Sequence, residues 1–512
     1  MEIIGHWLHA RRRRLQLGNK LGRLARQLMA LLLLAVMMAA CAPQPQARFL
    51  TLGVTPAPTP LLETPTAYPT RPPYPPGTLV DYVAQTGDTL PALAVRFNTT
   101  VPQILEANSF IPADATTMPP GMPMKIPIYY QALWGSPHQI LPDGWFVNGP
   151  AQIGFDAAEF VRQQPGWLKQ YSTYMGEQTR TGGEIVDYIA TNYSISPRLL
   201  LALLEYQTGA LTNPDLPAEA ATGYLLGYRD SSHAGLEMQL IWAANQLNNG
   251  YYDWRAGKLT TLEHLDGRLE RPDPWQNAAT VALQAYFCKL LDGDAYAYAI
   301  SSAGFQATYT RLFGDPWADR QDHIPGSLQQ PALRLPFEAG KRWAFTGGPH
   351  TGWGKGAPFA ALDFAPPGLQ AGCAPTQEWA RAVADGVVAR TGIALLVLDL
   401  DGDGDERTGW TIFYLHLAQA SLVRQGTVVR AGDPLGLPSC EGGQATGTHV
   451  HIARKYNGEW VLADGPLAFN LDGWVAHNGE AAYLGTLTRY GAVVTASVGA
   501  GSQSVILAGS QP

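Results

Sequence analysis

The chain has 512 residues, 46% of them hydrophobic, which is long enough for roughly two to four domains and excludes a wholly disordered or collagen-like protein. Its 35 basic and 42 acidic residues give a net charge of −7, but residues 1–40 hold seven of the bases and one of the acids. Residues 41–512 therefore carry 28 − 41 = −13, which excludes a nucleic-acid binder that works by neutralising phosphates.

At the N-terminus, Arg11 to Arg14, Lys20, Arg23 and Arg26 precede the apolar run LMALLLLAVMMAA, the pattern of an export signal. Thirteen apolar residues are too few to span a membrane comfortably. The run ends in MAAC, which resembles the lipobox of bacterial lipoproteins and makes Cys41 the expected lipid anchor, with a plain signal peptide as the alternative. Residues 1–41 are thus read as signal and anchor, and 42–78 as a proline-rich linker (TPAPTPLLETPTAYPTRPPYPPG) that extends without a core. Export permits disulfides, and Cys373 with Cys440 is the expected pair because both fall in loops of one C-terminal domain. Closing 440 − 373 = 67 positions would contribute about 4 kcal/mol in a chain-entropy account. Cys288, in LQAYFCKLL, fits a buried thiol on an apolar helix.

Residues 79–130 read as strand, helix, helix, strand. Gly87, Asp88, Thr89 and Leu90 open the first helix, the second starts near Thr100, and Asn108, Pro120, Gly121 and Ile126 lead into the last strand. This order resembles the LysM module, a small β-α-α-β domain, and the resemblance implies binding of N-acetylglucosamine-containing glycans. Residues 137–330 are helical in texture: GGEIVDYIATNY has helical spacing, Ser196 and Pro197 cap and open SISPRLLLALLEYQTGAL, and HAGLEMQLIWAANQL is strongly apolar. The last two segments resemble the lysozyme-like fold of lytic transglycosylases. Gln207 stands where that family has its acid, and an amide cannot protonate a glycosidic oxygen. Glu205, about 200° around the helix, should face elsewhere. A helical domain without glycosidase chemistry is expected.

The most informative stretch is GTHVHIARK, with His449 and His451 on one face of an expected strand. Alone, such a pair is as easily a half-exposed strand. Its partners are His350 and Asp363 upstream and His416 in YLHL. Together, over residues 333–480, these five positions resemble the lysostaphin-type zinc endopeptidases of bacterial cell walls. The resemblance implies that His350, Asp363 and His451 hold one Zn2+, that His449 takes a proton from the attacking water, and that His416 steadies the oxyanion or shuttles the proton. The first two ligands lie 363 − 350 = 13 residues apart, a spacing like that of the β-lytic branch, which leaves TGWGKGAPFAA free to shape a groove and Trp353 to line it. Asp399, Asp401 and Asp403 alternate before Gly404 like half a Ca2+ loop, but Trp410 stands where the closing Glu would be, so an acidic hairpin tip is the favoured reading.

The expected protein is therefore multidomain α+β: a LysM module, a mostly α-helical middle domain, a C-terminal antiparallel β-sheet metallopeptidase domain and a tail over 481–512. The expected activity is zinc-dependent hydrolysis of peptide bonds in peptidoglycan, by an exported, membrane-anchored monomer of the cell envelope. The rival readings are a non-catalytic wall-binding protein that activates another hydrolase, and a glycan-cleaving enzyme working through the helical domain.

Overall fold

The Gly-Asp-Thr turn that opens the first helix shows how sequence becomes structure here. In the computed structural model, which describes residues 71, 73–132, 135–218, 222–368 and 372–509, β1 (Thr78–Val83) runs into this turn, where Gly87 takes φ +76°. Asp88 then accepts from the Gln85 amide (2.8 Å), the Tyr82 hydroxyl (2.6 Å) and Arg96 (2.8 Å), so a buried carboxylate is satisfied from three sides. Thr89 caps α1 (Leu90–Arg96) and Thr100 caps α2 (Val101–Ala107), each with a proline in the first turn. The Asn108 side chain bonds Ile104 and Lys125, pinning the chain to β2 (Pro123–Ile128), which pairs antiparallel with β1. Cys41, the leader and the proline-rich segment up to residue 70 lie outside the described residues, while Arg71 at its end pairs with Asp273 (2.6 Å), and no helix among those described is long and apolar enough to cross a membrane.

Next come α3 (Ala157–Arg162), the hairpin β3 (Ser172–Met175) and β4 (Gln178–Thr181), and α4 (Gly182–Tyr193), opened by a capping box of Thr181 and Glu184. Ser196 caps α5 (Pro197–Thr208), which Gly209 ends in the left-handed region at φ +62°. The long α6 (Leu236–Arg255) packs on α7 (Ala278–Phe287), and Gly250 allows the close approach, since a Cβ there would lie 2.8 Å from the Ala282 Cα. Between them β5 (Leu262–Glu263) and β6 (Leu269–Glu270) form a small hairpin, and α8 (Gly293–Ala299) and α9 (Phe305–Phe313) complete this part. Cys288 is a buried free thiol at the end of α7.

The C-terminal part is built of antiparallel sheets. Its strands are β7 (Arg342–Thr351), β8 (Phe359–Ala365), β9 (Ala380–Arg381), β10 (Gly386–Gly392), β11 (Leu395–Asp399), β12 (Trp410–Leu415), β13 (Val428–Val429), β14 (Pro434–Gly436), β15 (Val450–Tyr456), β16 (Glu459–Trp460), β17 (Asn470–Leu471), β18 (Trp474–Asn478), β19 (Gly485–Arg489), β20 (Ala492–Thr495) and β21 (Val505–Leu507). The main sheet runs β13-β10-β11-β12-β15-β8-β7-β21, with β16 beside β15. Both of its faces are buried. Leu362, Phe364, Leu396, Leu398, Ile412, Tyr414 and Ile452 pack with Leu471, Ala476 and Leu487 of the small sheet β17-β18-β19-β20. On the other face, Ala361, Leu395, Val397, Phe413, Leu415 and Ala453 share a core with the helices. The segment after residue 480, expected from sequence to be a tail, belongs to this fold: β19 and β20 lie in the small sheet and β21 pairs with β7. That pairing supplies an edge strand with a partner and so explains the difference.

Arg255 joins the three parts. Fully buried, it donates to the Thr86 carbonyl of the first module and to Tyr251, and it pairs with Asp143 (3.1 Å) and with Glu459 of β16 (3.2 Å). His323 reaches the same Glu459 at 2.6 Å.

Candidate metal centre

Strand register brings the site together. Asp363 of β8 lies directly opposite His451 of β15, and Leu415 of β12, next to His416, pairs with His451 on its other side. His350 comes from β7, where the register with β8 shifts between Phe345 and Thr351; such irregularities re-aim side chains, and here they turn the imidazole toward Asp363. Gly347 leaves room for this, because a Cβ there would sit 2.4 Å from Asp363 Oδ2. His449 just precedes β15 and bridges Ser439.

The inward atoms converge. His350 Nε2 lies 3.0 Å from His451 Nδ1, and both lie 3.3 Å from Asp363 Oδ1. The outward nitrogens face carbonyls, which only accept: His350 Nδ1 donates to Gly348 (2.8 Å) and His451 Nε2 to Gly352 (3.1 Å). In neutral imidazoles that leaves two lone pairs and a carboxylate pointing at each other. Asp363 Oδ1, buried, has no hydrogen-bond partner among the described residues. Ligand atoms of these three buried residues lie within 4.8 Å of one another, and two nitrogens with one oxygen, each oriented from behind, fit a zinc site with positions left over for other ligands. The electrostatics agree. Burial disfavours charge on Asp363, but His350 and His449 outweigh it and hold the carboxyl well below its usual range. Burial likewise opposes protonation of His350, yet Asp363 overcomes it and raises the imidazole.

His449 and His416 stand beside the cluster, their rings 4.6 Å apart. His449 Nδ1 donates to Gly447 (2.7 Å), and its Nε2 is 3.7 Å from Asp363 Oδ1. His416 Nδ1 donates to Glu441 (2.7 Å). Burial and the neighbouring His449 push His416 down to about 4, so it is neutral at ordinary pH. Its φ of +63° is an uncommon conformation for a non-glycine residue, held by Ser439, whose amide donates to the His416 carbonyl at 2.6 Å. Ser439 and Glu441 flank Cys440, which forms a disulfide with Cys373. The bonds from Thr448 to Gly372 and Ala374 tie the same two loops beside His449.

Sequence reasoning missed Tyr483. Its ring stacks on His350 at 4.1 Å, and backbone bonds to Gly348 and Pro349 fix it there. Burial and Asp363 raise its phenol, which keeps the hydroxyl protonated. Trp353 is wedged between Phe413 (5.7 Å) and Tyr193 of α4 (6.5 Å), and the loop that bears it is held by Asn245 and Asn249 of α6, which accept from the Lys355 and Ala357 amides. The acidic turn is built otherwise. Asp399 accepts from the Asp401, Gly402 and Gly404 amides and so shapes the tip between β11 and β12, where the three carboxylates also lie within 4.8 Å. Gln207 accepts from Tyr286 (2.9 Å), and Glu205 accepts from Leu211 and Thr212, so both serve the helical core.

Residues 82–127 match the LysM domain model, and residues 139–327 match the model described as LasA, N-terminal domain. Protease LasA of Pseudomonas aeruginosa strain UCBPP-PA14 is 28% identical over 320 residues, spanning 58% of this chain and 72% of its own. The same protease from strain PAO1 is 28% identical over 343 residues, 64% and 75% of the two chains. The chain is thus similar to Protease LasA over more than half of its length and to LysM domains over residues 82–127. The helical part, expected from sequence to be lysozyme-like, matches the LasA N-terminal domain model. Among solved structures, the M23 metalloprotease pseudoalterin is 24% identical and covers 33% of this chain and 96% of its own at a TM-score of 0.28. The lysostaphin catalytic domain of Staphylococcus simulans is 20% identical, with 24% and 88% covered and a TM-score of 0.17.

Proposed function

We propose that this protein is a zinc-dependent endopeptidase that hydrolyses peptide bonds in the stem peptides or cross-bridges of peptidoglycan. The observation that carries the reading is the convergence of His350 Nε2, His451 Nδ1 and the unpartnered Asp363 Oδ1. The relation to Protease LasA supports the reaction class. His350, Asp363 and His451 would hold the ion. When bound, zinc would polarise the scissile carbonyl and make water a better nucleophile. His449, whose Nδ1 proton is committed to Gly447, offers Nε2 as the base that takes the water proton, and the imidazolium so formed protonates the leaving amine. His416, neutral and committed to Glu441, is a second acceptor on the same side and shares that proton. The Tyr483 hydroxyl is a donor for the developing oxyanion.

The layout in this reading is an exported chain, lipid-anchored at Cys41, with a proline-rich linker, a LysM module over 79–130 that binds N-acetylglucosamine-containing glycans, a helical domain over 137–330, and a peptidase domain that begins near 333 and includes β21. The test is to incubate the full chain with peptidoglycan, follow released fragments by mass, and repeat after chelation and after adding zinc back. New amine and carboxyl termini that vanish on chelation and return with zinc support the reading. Fragments cut at sugars, or cleavage that survives chelation, overturn it.

A further inference from the structure

The first module packs on the helical part through Asp81, Gln85, Arg96 and Phe97, and two of its loops hold between them an extended piece of the chain itself. The segment Ile324–Leu328, between the helices and the sheet, is held from one side by Thr86, whose hydroxyl accepts from the Ile324 amide (2.8 Å) and donates to the Ile324 carbonyl (3.2 Å). From the other side, the Thr117 hydroxyl donates to Pro325 (2.7 Å) and accepts from Leu328 (3.0 Å), its carbonyl accepts from Ser327 (2.9 Å), and the Thr116 hydroxyl donates to Leu328 (2.5 Å). Gly326 lies flat on Pro119, where a Cβ would come within 2.5 Å of the proline ring. Thr86, Thr117, Ile324 and Leu328 are all buried by this contact.

Every one of these bonds goes to main-chain amides and carbonyls, so the loops recognise peptide units and not side chains. The acetamido group of an N-acetylhexosamine is also a secondary amide, with one N–H donor and one carbonyl acceptor, flanked by hydroxyls that both donate and accept. A row of threonine hydroxyls, each able to donate or accept, suits either chain. The segment's flanks are anchored elsewhere: His323 to Glu459 and, through its carbonyl, to Asn457, and Gln330 to Asn470. The five residues between can therefore leave the loops without the domains coming apart.

Resting on the glycan-binding part of the proposed function, we propose that Ile324–Leu328 is an internal ligand of the LysM module, and that an N-acetylglucosamine oligomer and this segment compete for the Thr86 and Thr116–Thr117 loops. The free module is then only fractionally available, and the oligomer's apparent affinity is reduced by that fraction. By reciprocity, glycan binding releases the linker that leads into the sheet.

The test uses the full chain and a chitin hexasaccharide. Gly326→Val clashes with Pro119 and expels the segment while leaving every module residue intact; Gly326→Ala, with a smaller clash, serves if the valine variant melts early. Calorimetry should show hexasaccharide binding tightened about tenfold or more in these variants. Amide exchange at Ser327 and Leu328 should speed up in the hexasaccharide-saturated wild type. Equal affinity, or unchanged exchange at those two amides in the saturated chain, overturns the competition while the module remains a glycan binder. Absence of binding by wild type and variants alike overturns both, since nothing then competes with the segment.

Discussion

Glu459→Gln perturbs the point where the three parts of the molecule meet. The carboxylate is buried, and although burial opposes its charge, Arg255 and His323 overcome this and hold it at about 2 against an ordinary 4.5. Burial pushes the nearby Asp143 up despite the same guanidinium, so Arg255 leans mainly on Glu459. A difference of about 2.5 pH units at about 1.4 kcal/mol each corresponds to about 3 kcal/mol, within the range of about 3 to 5 kcal/mol for breaking a buried ion pair. Because the folded value is the lower one, this contribution is fully present above pH 4.5 and is lost as pH falls from there through about 2. Urea unfolding of wild type and variant at pH 7 should differ by about 3 kcal/mol, and at pH 3 by about 1 kcal/mol. A difference below about 1 kcal/mol at pH 7, or one that is the same at both pH values, would refute the reasoning.

Three further outcomes are expected of the site. Tyr483→Phe removes the phenolic donor while keeping the ring on His350, so kcat should fall about 10- to 100-fold with KM and zinc content unchanged; a rise in KM alone would reassign the tyrosine to substrate binding. Paired Cys373→Ala and Cys440→Ala replacement opens a 67-residue loop and should cost about 4 kcal/mol, read as a lower melting temperature, together with reduced turnover at temperatures where the variant is folded, because the bridge secures the loops behind His416 and His449. Asn245→Ala with Asn249→Ala frees the Trp353 loop from α6, so limited proteolysis should cut at residues 352–358 sooner than in wild type; equal cutting rates would mean that the tryptophan contacts alone hold it.

Much of the site was legible because its chemistry sits on short-period structure. A strand places His449 and His451 on one face, and the ligand types name the metal class, so those residues could be picked out before any register was known. Tyr483 was not legible. It reaches His350 through backbone bonds to Gly348 and Pro349, and its own neighbourhood, GEAAYLG, has no period that points anywhere. The association of helices and sheet leaves a trace in the sequence. LLVL in β11 is apolar at every position because Leu395 and Val397 share a core with the helices while Leu396 and Leu398 are buried in the core on the opposite face, and a strand covered on one side only would alternate. The helices themselves followed from caps and spacing; the lysozyme comparison rested on two helical segments, and Gln207 and Glu205, read as lacking that chemistry, are engaged by Tyr286, Leu211 and Thr212 within the helical part.

The most direct test of the central claim is a paired comparison of His449→Ala and Asp363→Asn in the full chain, with bound zinc and released peptidoglycan fragments measured on the same samples. His449→Ala should keep about one zinc per chain and release no peptide-bond fragments, while Asp363→Asn should lose both. A His449→Ala chain that still cleaves at the wild-type rate, or an Asp363→Asn chain that still binds zinc tightly and cleaves, would contradict the account.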